Sequence, residues 1–249
     1  MRTHLQIAFP ELSEKDREHI IQKNCEHFTR LFFELGILRY RPNIAKNLIT
    51  VTPSTQQALL NYKDTGCIII SGHLGNWETG IQWIGMQGYQ PLVIARKNIN
   101  EGFHVFMKLL RNQYGITTID RGENDSPKLL IQAIREKRFL AFLIDVDTQV
   151  KSEFVPFFGK LAKTPIAPAL LAIKYNLPVL VGGTRRIKPF HHELQLEPVS
   201  LIRTDSLNND IKANTAHWTS LLERYIRQTP SQWLWTHRRW KSHHVTNCE

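Results

Sequence analysis

Short apolar runs alternate with amphipathic stretches along most of the chain, and that alternation predicts an α/β protein. Cys67, Ile68, Ile69 and Ile70 form an apolar, β-branched run that reads as a buried strand, broken by Ser71 and Gly72. Further strands are predicted over Pro91–Ala95, Ile116–Ile119, Phe139–Ile144 and Pro178–Gly182, and Leu194–Val199 alternates like an edge strand. Between them the apolar period becomes helical. A long helix opens at Leu12–Ser13 and carries Ile20, Ile21, Cys25, Phe28, Leu31, Phe32 and Leu35 to a stop at Gly36. Shorter helices are expected over Thr55–Tyr62, from Asn76 onward, over Phe103–Tyr114, over Ser126–Glu136 and from Thr164–Pro165 to Tyr175. A final one covers Asp210–Arg227. In the Phe103–Tyr114 helix, Phe106, Leu109 and Leu110 should face inward, with Lys108 and Arg111 outward. The expected architecture is one α/β domain over residues 1–249, with a largely parallel or mixed central sheet and helices on both faces.

The candidate chemistry sits where the first strand turns into a helix. Asn76 is a natural N-cap, with Trp77, Ile81, Trp83 and Ile84 as the apolar face behind it. His73 and Glu78 flank this turn with four residues between them. A carboxylate in the first helical turn can hold one imidazole nitrogen and leave the other as a base for a substrate hydroxyl. The plainer alternative is a histidine that caps the helix and a glutamate that favours its dipole. His73, Arg96, Arg121 and Asp145 all follow predicted strand ends, where open α/β sheets place their sites. Arg111 lies on the helix after the second of these strands.

The segment Ser71–Glu78, read SGHLGNWE, resembles the first motif of the bacterial lipid A biosynthesis acyltransferases. The resemblance continues through Phe154–Gly159 (FVPFFG) and Pro230–Lys241 (PSQWLWTHRRWK), and so spans nearly the whole chain. It implies a glycerolipid-acyltransferase-like fold and transfer of a fatty acyl chain from an acyl carrier protein thioester, or acyl-CoA, to a hydroxyl of a lipid A precursor. His73 would be the general base and Glu78 its orienting partner. Arg96 and Arg111 match an arginine region of the family, and Arg111 would bind phosphate or assist the oxyanion. Asp145 matches the first acid of an Asp-Gln-Asp segment whose middle residue is Val146 here. Glycerolipid acyltransferases proper fit less well, since Gly72 precedes His73 and Glu78 stands where they carry aspartate. The implied partners are acyl carrier protein, an anionic glycolipid and a membrane surface, at the cytoplasmic face of the bacterial inner membrane. The resemblance requires neither a cofactor nor a metal. The family's N-terminal hydrophobic anchor is not seen before Met1–Glu11, so attachment would be peripheral or through a segment missing from this chain.

Charge adds a second constraint. Thirty-two Lys and Arg against 22 Asp and Glu leave a formal charge of +10, which suits an anionic partner. That charge alone would also suit a nucleic-acid-binding protein, but no helix-turn-helix, zinc-finger or RNA-binding-sheet signature accompanies it. An acyltransferase for another glycolipid or an amino-lipid keeps the same chemistry and stays open. Three cysteines, Cys25, Cys67 and Cys248, lack metal-ligand spacing and read as free thiols. His191, His192 and Glu193 read as a solvated turn. Phe154–Gly159 reads as an aromatic loop that either lines a groove for the acyl chain or packs in the core. The aromatic and basic tail, Trp233 to Lys241, either rests at a membrane interface or anchors the sheet.

Overall fold

In the computed structural model, which describes residues 1–96, 100–122 and 125–244, apolar runs and amphipathic helices assemble around one central sheet. Lys97, Asn98 and Cys248 lie outside the described residues. In chain order the elements are α1 (Arg2–Ala8), α2 (Glu14–Tyr40), α3 (Pro42–Ala45), β1 (Ile49–Val51), α4 (Pro53–Asn61), β2 (Cys67–Ser71) and α5 (Trp77–Met86). They continue as β3 (Leu92–Ala95), α6 (Glu101–Asn112), β4 (Thr117–Asp120), α7 (Ser126–Arg135), β5 (Phe139–Leu143) and the hairpin β6 (Ser152–Phe157) and β7 (Lys160–Pro165). The last are α8 (Ala167–Tyr175), β8 (Val179–Lys188), β9 (His191–Val199) and α9 (Leu207–Gln228).

Seven strands form the sheet in the order β1-β9-β8-β2-β5-β3-β4. Every neighbouring pair is parallel except β8 and β9. The apolar run of β2 shows why both faces are covered. Cys67 and Ile69 join a cluster under α2, α4, α5 and α6, while Ile68 and Ile70 join another under α7, α8 and α9. A strand buried on both sides has no reason to alternate, so its sequence is continuous.

Several local expectations are corrected by packing. Gly36 does not end α2: an added Cβ there would meet nothing, and the helix runs on to Tyr40, where Pro42 follows. Phe154–Gly159 is not a loop. It is most of β6 and the tight turn into β7, and Phe157 and Phe158 are buried. Thr164 does not cap a helix. It ends β7, where its hydroxyl accepts from Arg239 Nη2 at 2.6 Å. β9, which contains Leu194–Val199, is the last strand but one: β1, too short to stand out in the sequence, pairs with His192–Leu194, while farther along the Thr55 hydroxyl bonds the Leu196 backbone on the open edge.

The aromatic tail is core rather than surface. Trp233, Trp235 and Trp240 are buried against Phe9, Phe157 and Phe158 from α1's end and the hairpin, with Trp233 and Trp235 edge to face at 4.5 Å between centroids. Arg239 is buried with them, its guanidinium bonded to Lys163 O and Thr164 and stacked over Phe157. Truncating one such ring leaves a cavity that neighbours on three elements cannot fill. Trp235→Ala should therefore cost about 3–5 kcal/mol of unfolding free energy in urea titration, with the denaturant slope unchanged.

Candidate active site

Parallel pairing brings two distant residues together. Ser71 of β2 is in register with Leu143 of β5, and Ile144 N–H donates to Ser71 O at 3.1 Å. Two residues beyond each strand end stand His73 and Asp145. The His73 ring donates from Nδ1 to Asp145 Oδ1 at 2.8 Å, and its backbone N–H donates to Oδ2 at 2.7 Å. The Trp233 indole donates to the same Oδ2 at 2.7 Å. Asp145 is buried, and burial alone would raise its pKa. The charge of His73 and the hydrogen bonds from His73 and Trp233 outweigh that and bring it down to about 2. A carboxylate held ionised in this way fixes the imidazole with its proton on Nδ1 and leaves Nε2 as acceptor toward the cleft that His73 lines.

The glycines of the motif now have reasons. A Cβ on Gly72 would press to 3.0 Å from Asp145 Oδ2, so a side chain there would displace the carboxylate. Gly75 sits at φ +60°, and a Cβ would come within 2.2 Å of Thr184 O. Its N–H donates to Gln232 O, so this close approach to β8 and the C-terminal segment needs glycine. Asn76 caps α5 as expected, its Oδ1 accepting from Thr79 N at 3.2 Å.

Glu78 is placed differently from the expectation. It does not hold His73; its carboxylate takes a two-point bond from Arg111 of α6, Nε to Oε2 at 3.0 Å and Nη2 to Oε1 at 2.5 Å, and a third from the Trp77 indole at 3.2 Å. Spacing allowed the local pair, but the carboxylate of a residue far along the chain lies closer to the imidazole. Arg111 therefore faces inward, not outward: burial works against its charge, and Glu78 more than restores it. Lys108 stays partly exposed, as expected, while bonding Asp120 together with His104 Nε2; Leu109, expected inward, is exposed.

Arg96 and Arg121 lie side by side, one residue past the paired ends Ala95 and Asp120 of β3 and β4. Arg121 N–H donates to Ala95 O at 2.8 Å. Among the described residues neither guanidinium has an ion-pair partner, and burial together with the neighbouring Arg96 lowers the Arg121 pKa. Such a pair is suited to an anion bearing two charges.

His73, Glu78, Arg96, Lys108, Arg111 and Arg121 line one open cleft of about 1020 Å³, at the top of the range of about 300–1000 Å³ usual for small-molecule sites, and Asp145 lies behind His73, outside that lining. One half is polar: His73, Glu78, Arg96, Arg111, Arg121 and Lys241. The other runs between α2, α5 and α6 and is walled by Leu31, Leu35, Ile81, Ile84, Leu194 and Leu196. The hairpin aromatics Phe157 and Phe158 are not among its walls. His237, unremarked in the sequence beyond its place in the tail, lines it too. Asp147 N–H donates to its Nε2 at 2.9 Å, which puts the ring proton on Nδ1, and burial lowers its pKa. Among the described residues no three His, Cys, Asp or Glu side chains gather as a metal ion would need.

Beneath the turn lies a second ionic group invisible to local patterns. Glu34 of α2 is buried and paired with Arg186 of β8, His192 of β9 (3.0 Å) and the Asn76 amide (3.0 Å). His192 is thus core, not part of a solvated turn. His27 Nε2 donates to Gly75 O at 3.2 Å. Burial opposes ionisation of Glu34, but His192 and Arg186 hold its pKa down at about 2; burial and Arg186 push His27 down to about 4.

Fold and site together describe an α/β protein with a carboxylate-held histidine on an open cleft of mixed polar and apolar lining. The chain belongs to the bacterial lipid A biosynthesis acyltransferase family, whose model matches residues 1–242. It is 27% identical to the lipid A biosynthesis lauroyltransferase of Escherichia coli K12 over 96% of this chain and 77% of that protein. It is 22% identical to the lipid A biosynthesis palmitoleoyltransferase of the same strain, over 98% of this chain and 78% of that one. A lipid A biosynthesis acyltransferase of Haemophilus influenzae is 23% identical over 97% and 76%. The protein is an acyltransferase of lipid A biosynthesis, and the nucleic-acid reading is set aside.

The ionic group under the turn has a pH signature. The unfolded chain binds more protons than the folded one between the ordinary histidine pKa near 6.5 and about 4 at His27, and between 4.5 and about 2 at Glu34. In both windows stability rises with pH and is lost on acidification. Urea unfolding at pH 7.5, 5.5 and 4.5 should show losses beginning near pH 6.5. His27→Asn should flatten the upper window, which is worth about 3 kcal/mol when fully developed.

Proposed function

We propose that the protein moves a fatty acyl chain from a carrier-bound thioester to a hydroxyl of a lipid A precursor, with His73 as general base. The observation that carries this reading is the His73–Asp145 pair, its free nitrogen aimed into a cleft whose other half is apolar. The acceptor hydroxyl gives its proton to His73 Nε2 as its oxygen bonds the thioester carbonyl carbon. Asp145 stabilises the imidazolium that forms. The tetrahedral oxyanion collapses, the C–S bond breaks, and His73 returns the proton to the departing thiolate. Arg111, braced by Glu78, is the cation nearest to hand for the oxyanion or for a substrate phosphate. Arg96 and Arg121 take a phosphate of the glycolipid. The thioester supplies the driving force, so this scheme asks for no cofactor. Acyl carrier protein is the donor we favour, because it is acidic and this chain carries +10. The enzyme would work at the cytoplasmic face of the inner membrane, where such a carrier and a lipid acceptor meet.

The test is transfer from labelled acyl carrier protein to a tetra-acylated, Kdo-bearing lipid A precursor in detergent. His73→Ala should lose about 10²-fold to 10⁴-fold in kcat with an unchanged circular dichroism spectrum. Asp145→Asn should lose rate at an unchanged circular dichroism spectrum, because the imidazolium that forms loses its counter-charge. Equal turnover in wild type and His73→Ala would remove His73 from this role. Replacing the carrier by acyl-CoA, and the acceptor by other glycolipids or amino-lipids, separates the finer substrate choices.

A further inference from the structure

Burial of the Trp233–Lys241 tail leaves open which surface meets lipid, and the distribution of exposed apolar side chains answers it. Scattered exposed leucines are ordinary. Here, however, among the described residues four of the five exposed large aromatics lie on the two helices that frame the cleft: Phe32 (62% exposed), Phe33 (69%) and Tyr40 (73%) on α2, and Phe103 on α6. Ile44 on α3 extends the first group; Val105 and Leu109 extend the second. On α2, Phe33, Ile37 and Tyr40 fall on one stripe, while Leu31, Leu35 and Leu38 on the opposite side are buried in the core. The helix is therefore apolar on two sides, and among the described residues only one of them is packed.

The charges at the C-terminal end of the stripe are basic: Arg39, Arg41 and Lys46, with no acid from Leu35 to Val51. Arg30, one turn earlier, is paired with Glu26. Glu34 is buried and paired with Arg186, so it presents nothing outward. Exposed aromatics bordered by cations match the interface of an anionic bilayer, where rings sit among headgroups and basic side chains meet lipid phosphates. The cleft opens at the same place, since Phe32 and Phe103 are both exposed and both line it.

We propose that the Phe32, Phe33, Tyr40 and Ile44 ridge, with Phe103 beside it, docks onto an anionic lipid bilayer and sets the mouth of the cleft against the membrane. This rests on the lipid-acceptor reading above. An acceptor carrying acyl chains then slides from the leaflet into the apolar half of the cleft, past Phe32 and Phe103, without its chains crossing water. The cationic half waits at headgroup level.

The experiment is co-sedimentation with vesicles of phosphatidylcholine, alone or with about one-third phosphatidylglycerol. The variant Phe33→Ser/Tyr40→Ser/Ile44→Ser touches only exposed positions outside the cleft lining. Wild type should partition onto the anionic vesicles and less onto neutral ones. The triple variant should lose at least about tenfold in partition at an unchanged melting temperature. Arg41→Gln/Lys46→Gln should lose the preference for the anionic vesicles. Transfer to acceptor in detergent should be the same in the triple variant and wild type, and transfer to acceptor embedded in vesicles should fall. Equal partition of wild type and triple variant overturns the proposal. So does a triple variant that instead loses self-association in sedimentation velocity, or affinity for acyl carrier protein, since the ridge would then cover a protein. Partition is read without turnover, so absence of transfer by wild type would count against the proposed reaction and not against the docking face.

Discussion

One buried carboxylate ties the site to the rest of the molecule. Asp145 accepts from the His73 ring, the His73 backbone and the Trp233 indole, and so joins two neighbouring strand ends to the C-terminal segment. A buried charge is tolerable only when its oxygens are satisfied, and all three donors do that here. The same requirement explains Gly72, which leaves room for the carboxylate, and Gly75, which lets the turn lie against β8. The geometry of the base is thus a by-product of neutralising one acid inside the fold.

The cleft has a matching division. Charges that belong to the site are held by other charges: Arg111 by Glu78, Lys108 by Asp120. Arg96 and Arg121 stand together as a pair of like charge. Elsewhere the wall is mostly hydrocarbon, with Ser71, Thr148, Gln149 and Thr184 among it. Such a cleft suits an amphiphile with an anionic head and a long tail, in agreement with the family to which the chain belongs.

Much of the framework was readable along the chain because it obeys local rules. The β-branched runs became strands, Ser13 and Asn76 became caps, and the order of strand and helix gave an α/β sheet. What went astray depended on distant neighbours. Spacing could pair His73 only with Glu78, five residues on. Parallel register brought it Asp145, 72 residues away in the chain. Interleaved tryptophans and arginines resemble an interfacial segment, yet the Lys163 carbonyl and Thr164 take the two terminal nitrogens of Arg239 and the tail sinks into the core. Leu109 and Arg111 exchanged their expected sides because a carboxylate, not an apolar neighbour, waited across from α6. The Glu34 group draws on α2, α5's cap, β8 and β9, and no window of sequence contains it.

The C-terminal contacts also order events in time. Trp233 bonds Asp145, Leu234 N–H donates to His73 O, and Leu74 bridges Trp233 as a short antiparallel pair. On a ribosome the His73 turn emerges long before these partners do. The sheet strands around β2 can pair as they appear, but the imidazole gains its full set of supports only when the Trp233–Leu234 segment has been made. A nascent chain that already holds its strands still lacks the last supports of the His73 turn, so the site is completed late.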